Sequence, residues 1–96
     1  MDLTGKQVLV AGLGKSGIAA GALLKKMGCM VCLFDGNEKF DRSAWKKTYP
    51  VFSDCPLWIG ELPDAAVQEM ELAVVSPGIP LDTPAILKLQ DRKSVV

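Results

Sequence analysis

The residues best placed to do chemistry in this chain are glycines. Gly12, Gly14 and Gly17 stand in the G-x-G-x-x-G spacing, after an apolar run over 8–11 and before a helix-like stretch over 18–27. A strand, a tight turn and a helix start, in that order, present backbone N–H groups and the positive end of a helix dipole to an anion. The chemistry implied is phosphate binding. Gly12 lets the chain turn sharply, Gly14 lets a phosphate approach backbone that carries no Cβ, and Gly17 lets the helix pack close to the strand. Within the turn, Lys15 either neutralises phosphate or points into solvent. Ser16 either hydrogen-bonds phosphate or caps the helix.

Two further loops follow apolar runs. Asp35-Gly36-Asn37 comes after the run over 30–34. Asp35 falls near the place, roughly 20 residues on, where an acidic residue meets a ribose in dinucleotide folds. Its carboxylate can instead accept from a base N–H, or close the strand in an Asx turn. The other loop, Ser76-Pro77-Gly78-Ile79-Pro80, follows the run over 72–75. Two prolines stiffen it, and Gly78 permits an unusual φ or a close ligand approach. What is missing narrows the chemistry further. The chain has no histidine and no G-x-x-x-x-G-K-[ST] loop, and its acidic residues are scattered without a defensible acid–base pair. No residue is assigned a catalytic or metal-binding role.

These loops need a scaffold that brings strand ends together. The pattern alternates throughout: strand over 6–11, helix over 16–26 ended by Gly28, strand over 30–34 and a polar stretch over 38–49 that is helix or loop. In that stretch Phe40 and Trp45 offer an anchoring face. Then come a short strand over 57–59, a short helix over 63–69, a strand over 72–75, a helix over 83–90 and the opening of a fifth strand at 94–96. The apolar residues of the first helix, at 18, 19, 22, 23 and 27, recur near a helical period. Strands alternating with helices imply an α/β fold, a Rossmann-like open parallel sheet of about five strands flanked by helices. In such sheets ligands bind at the carboxyl ends of the strands, where all three loops fall.

Composition excludes several other classes. Apolar residues make up 49% of the 96, enough to fold. Eleven basic residues balance eleven acidic ones, which argues against a nucleic-acid binder. No apolar run approaches the roughly 18 residues of a membrane span, and the N-terminus does not read as a signal peptide, so a cytoplasmic location is expected. The three cysteines, Cys29, Cys32 and Cys55, are an odd number, against a disulfide framework. Cys29 and Cys32 form a C-x-x-C that leads into a strand. A redox motif sits at a helix start, so a structural role is expected.

The glycine loop, Asp35 closing the second strand, Gly60-Glu61-Leu62 and Val74-Val75-Ser76-Pro77-Gly78-Ile79-Pro80 together resemble the N-terminal domain of Mur ligases, over nearly the whole chain. Among these the likeness is to the members that add D-glutamate to UDP-N-acetylmuramoyl-L-alanine in peptidoglycan precursor synthesis. The resemblance implies that residues 1–96 are a single domain binding the UDP part of the substrate. It also implies that ATP and Mg2+ act through separate central and C-terminal domains, so that the chain is a piece of a longer ligase and inactive alone. By matching position, Gly14, Lys15, Ser16 and Gly17 line the diphosphate, and Asp35, Gly36 and Asn37 meet the uracil. Ser76, Pro77 and Gly78 form another wall. Some members carry a basic residue where Asn37 stands. The rival reading, an NAD(P)-binding domain of an oxidoreductase or ion-channel regulator, shares the glycine loop and Asp35 but not the Ser-Pro-Gly-Ile-Pro loop.

Overall fold

A computed structural model describes residues 4–77, 79, 83–92 and 94–95. Its centre is the strand β1 (Gln7–Ala11), which pairs in parallel with β2 (Met30–Asp35) on one side and β4 (Leu72–Val75) on the other. The strand β3 (Leu57–Ile59) extends the sheet beyond β2, and the two-residue β5 (Ser94–Val95) extends it beyond β4. The order is β3-β2-β1-β4-β5, all parallel. Chain direction across the sheet reverses between β1 and β4, and the ends of four strands share one edge. The Rossmann-like sheet expected from the alternating pattern is therefore present.

A central strand is covered on both faces, so its residues divide by parity. Val8 and Val10 pack with Leu24, Val31, Leu33 and Phe52 under α1 (Lys15–Lys26). Leu9 and Ala11 pack on the opposite face with Leu62, Val67, Met70, Ile86 and Leu89, beneath α3 (Asp64–Glu69) and α4 (Pro84–Arg92). The C-x-x-C is split between these layers, Cys29 in the first and Cys32 in the second. All three cysteines are buried free thiols. Burial raises the Cys32 thiol to about 11 and pushes the Cys55 thiol up as well.

The buried face of α1 differs from the apolar stripe in the sequence. Gly17, Gly21 and Leu24 face the sheet, whereas Leu23 and Met27 are exposed. Two glycines four residues apart bring the helix axis inward, and a Cβ on Gly21 would meet Phe52 Cε1 at 3.0 Å. Close approach, not side-chain bulk, decides which face is buried. The helix ends as expected at Gly28, in a Schellman turn. Gly28 N–H donates to Lys25 O (3.0 Å) and Cys29 N–H to Leu24 O (3.1 Å), with Gly28 at φ +85.

The polar stretch after β2 is loop first and helix later. Asp41 caps α2 (Arg42–Thr48) by accepting from Ala44 N–H at 3.0 Å. Trp45 anchors it as expected, 5.9 Å from Phe40 between ring centroids and stacked at 5.2 Å on Phe52, which lies in a 3-10 turn (Pro50–Phe52) that the sequence pattern did not suggest.

Candidate functional site

The three glycines of the first loop do different work. Gly12 has φ +92, and its N–H donates to Phe34 O at 2.8 Å. A Cβ there would lie 2.7 Å from Ile79 Cδ1 and 2.8 Å from Ser76 Cβ, so Gly12 also gives room to the loop after β4. Gly17 is buried, and a Cβ on it would lie 1.8 Å from the Gly12 carbonyl oxygen. Gly14 is the opposite case. It is the N-cap of α1, at φ −80, and a Cβ on it would meet nothing within 4 Å.

The start of α1 is free to receive an anion. The first intrahelical bond runs from Ile18 N–H to Gly14 O (2.9 Å), so the N–H groups of Lys15, Ser16 and Gly17 have no acceptor within the helix. No side chain caps this end and no acidic residue occupies its first turn. Ser16 therefore does not take the capping role that its position allowed. Lys15 and Ser16 are both exposed.

Asp35 joins two loops. One carboxylate oxygen accepts from Leu13 N–H at 3.1 Å, inside the glycine turn, and the other from Asn37 N–H at 2.9 Å. Asn37 in turn accepts from Lys39 N–H through its side-chain oxygen at 3.0 Å. The Asx turn weighed for Asp35 is thus formed, and the same carboxylate also fixes the glycine turn. The Asp35 carbonyl accepts from Gly60 N–H at 2.8 Å, which brings in the loop after β3. Ser76 N–H donates to Ala11 O at 3.0 Å and Ile79 N–H to Ser76 O at 3.1 Å, so the loop after β4 turns back over Gly12. Gly78 and Pro80 lie outside the described residues.

Between these loops and α4 lies a cleft of about 640 Å³. Its walls are Gly12, residues 34–37, the loop 60–62, Ile79 and one side of α4 from Thr83 to Lys88. Of the site residues expected from sequence, Asp35, Gly36 and Asn37 line it. Gly14, Lys15, Ser16 and Gly17 stand past Gly12 at the start of α1; Ser76 accepts from Ile79 N–H, and neither Ser76 nor Pro77 lines the cleft. The α4 wall was missed. Its residues follow no loop motif, and packing of α4 against α3 and β5 brings them here. The loop 60–62 was readable, because a residue just past a parallel strand belongs at this edge. The lining mixes apolar residues (Phe34, Leu62, Ile79, Ala85) with polar and charged ones (Asp35, Asn37, Glu61, Thr83, Lys88), and the volume lies within the roughly 300–1,000 Å³ of small-molecule sites.

Fold and cleft together define a doubly wound α/β domain with a cleft at the carboxyl edge of the sheet, beside the reversal of strand order, where ligands bind in folds of this kind. A family model described as "Mur ligase MurD-like, N-terminal domain" matches residues 6–96, and the chain belongs to that family. It is similar to the UDP-N-acetylmuramoylalanine--D-glutamate ligase of Caldicellulosiruptor saccharolyticus, 45% identical over 96 residues, covering 99% of this chain and 21% of that protein. The enzyme of the same name from Lachnospira eligens is 41% identical over 93 residues, covering 95% of this chain and 20% of that protein. The chain thus spans about a fifth of the length of these relatives. Shikimate dehydrogenase from Aquifex aeolicus shares the fold, with a TM-score of 0.61 at 15% identity, over 98% of this chain and 42% of that one.

Proposed function

We propose that this chain binds the UDP part of UDP-N-acetylmuramoyl-L-alanine, as the substrate-holding domain of a cytoplasmic ligase that adds D-glutamate to it in peptidoglycan precursor synthesis. The observation that carries the reading is the uncapped, acid-free start of α1 opening beside a largely apolar cleft. The diphosphate sits on the N–H groups of Lys15, Ser16 and Gly17, with the open face of Gly14 giving it room and the helix dipole favouring its charge. The uracil enters the cleft, its edge meeting backbone and side-chain polar groups at 35–37. Ser76, Pro77 and Gly78 support the wall nearest Gly12.

We assign ATP and Mg2+ to other domains of the ligase and not to this chain. It has no phosphate loop of the G-x-x-x-x-G-K-[ST] kind, and among the described residues no three His, Cys, Asp or Glu side chains converge for a cation. No step of the ligation is assigned to these residues, and we expect no turnover of ATP by them. The names of the relatives support the ligase assignment, whereas the shared glycine loop and Asp35 keep NAD as the competing ligand. Calorimetric titration of UDP, UDP-N-acetylmuramoyl-L-alanine and NAD against the chain decides between them. Tighter binding of the uridine nucleotides supports the proposal; a clear preference for NAD overturns it.

A further inference from the structure

We propose that Lys88, on α4, is a positioning residue that sets the width of the cleft by holding the β3 wall against the α4 wall. The inference rests on the nucleotide-binding reading above. Lys88 and Leu62 both line the cleft, one on α4 and the other at the end of the loop after β3, and Lys88 Nζ donates to Leu62 O at 3.0 Å. The same ammonium pairs with Asp64 Oδ1 at 2.8 Å, at the first residue of α3. One side chain therefore joins α4 to the end of the 60–62 loop and to the helix that follows it.

The beginning of that loop is held by backbone hydrogen bonds. Gly60 N–H donates to Asp35 O (2.8 Å) and Glu61 N–H to Ile59 O (3.0 Å), both on the strand side. Gly60 has φ +82, a conformation open chiefly to glycine. The far end of the loop is located by the buried Leu62 side chain and by the bond from Lys88 to its carbonyl. The ion pair itself contributes little, because the Asp64 side chain is 62% exposed. The bond to the Leu62 carbonyl is the one that ties two lining residues of the cleft together. Lys88 thus acts on the base-binding part of the site and not on the start of α1, whose residues do not line the cleft.

The test compares Lys88→Met, which keeps the aliphatic stem and removes the donor, with Lys88→Arg, which keeps charge and donors. Affinities for UDP and for inorganic pyrophosphate are measured on each. Lys88→Met should weaken UDP about 5-fold or more while leaving pyrophosphate unchanged, and Lys88→Arg should recover part of the loss. Equal affinity for UDP in Lys88→Met and wild type, or equal loss of both ligands, overturns the proposal. If the wild-type chain binds no uridine nucleotide, the binding reading fails separately. Amide hydrogen exchange over 60–64 then decides on Lys88: faster exchange in Lys88→Met upholds its positioning role, and unchanged exchange refutes it.

Discussion

Adding one methyl group at two neighbouring glycines should have opposite consequences. At Gly17 an alanine Cβ would lie 1.8 Å from the Gly12 carbonyl oxygen, where real Cβ atoms keep at least 3.0 Å. The helix start and the turn must therefore part by more than an ångström. The obstacle is backbone, and that backbone is itself fixed by Gly12 N–H donating to Phe34 O and by Ile79 and Ser76 packed over Gly12. Overpacking costs about 1–3 kcal/mol even where side chains can yield, so a rigid backbone obstacle places Gly17→Ala at about 3 kcal/mol or more. In a domain of this size that is a fall in Tm of roughly 12 °C or more. Gly14→Ala adds a Cβ that meets nothing, at φ −80, and should stay within about 1 kcal/mol of wild type. The same Gly14 methyl intrudes where phosphate approaches, so UDP binding should weaken by about tenfold or more, equivalent to ~1.4 kcal/mol. Thermal and urea unfolding followed by circular dichroism, with a UDP titration of Gly14→Ala, measures all of this. Gly17→Ala within about 0.5 kcal/mol of wild type would refute the reasoning, as would equal destabilisation by the two variants.

Asp35→Ala removes the acceptor for Leu13 N–H and Asn37 N–H, and should cost about 1–3 kcal/mol of stability in urea unfolding. It should weaken UDP more than inorganic diphosphate, since the carboxylate is assigned to the base end; equal weakening counts against that assignment. Burial raises the Cys32 thiol from 9.0 to about 11, so the unfolded chain releases this proton at lower pH than the folded one. The contribution is complete below pH 9 and declines as pH rises towards 11, and Cys32→Ala should flatten that alkaline decline in Tm. An unchanged profile would remove Cys32 as its source.

Much of the fold is legible because the apolar runs are short and sharply ended. The bounds 57–59 and 72–75 fall as the runs predict, with β3 closed by Gly60 and β4 by the turn at Ser76. The glycine turn is legible too, since Gly12 and Gly17 each answer a local steric demand. The buried face of α1 was not, because Gly17 and Gly21 carry no hydropathy signal and act only through how closely the helix approaches Val10 and Phe52. For the same reason the site was half legible. Asp35, Gly36 and Asn37 follow a strand and reach the cleft, whereas Lys88 arrives on a helix packed from the opposite face. The double service of Asp35, to its own turn and to the glycine loop, depends on the register of β1 with β2, in which Ala11 lies beside Phe34.

The central claim is one of location: diphosphate at the start of α1, and uracil between the loops that follow β2 and β3. Mapping backbone amide shifts of labelled chain during titration with UDP tests it most directly. The account predicts large shifts at residues 14–17, 35–37 and 60–62. It predicts none around Cys29 and Cys55, at the opposite edge of the sheet. Shifts confined to that opposite edge, or larger shifts at 14–17 and 35–37 with NAD than with UDP at equal concentration, would contradict it.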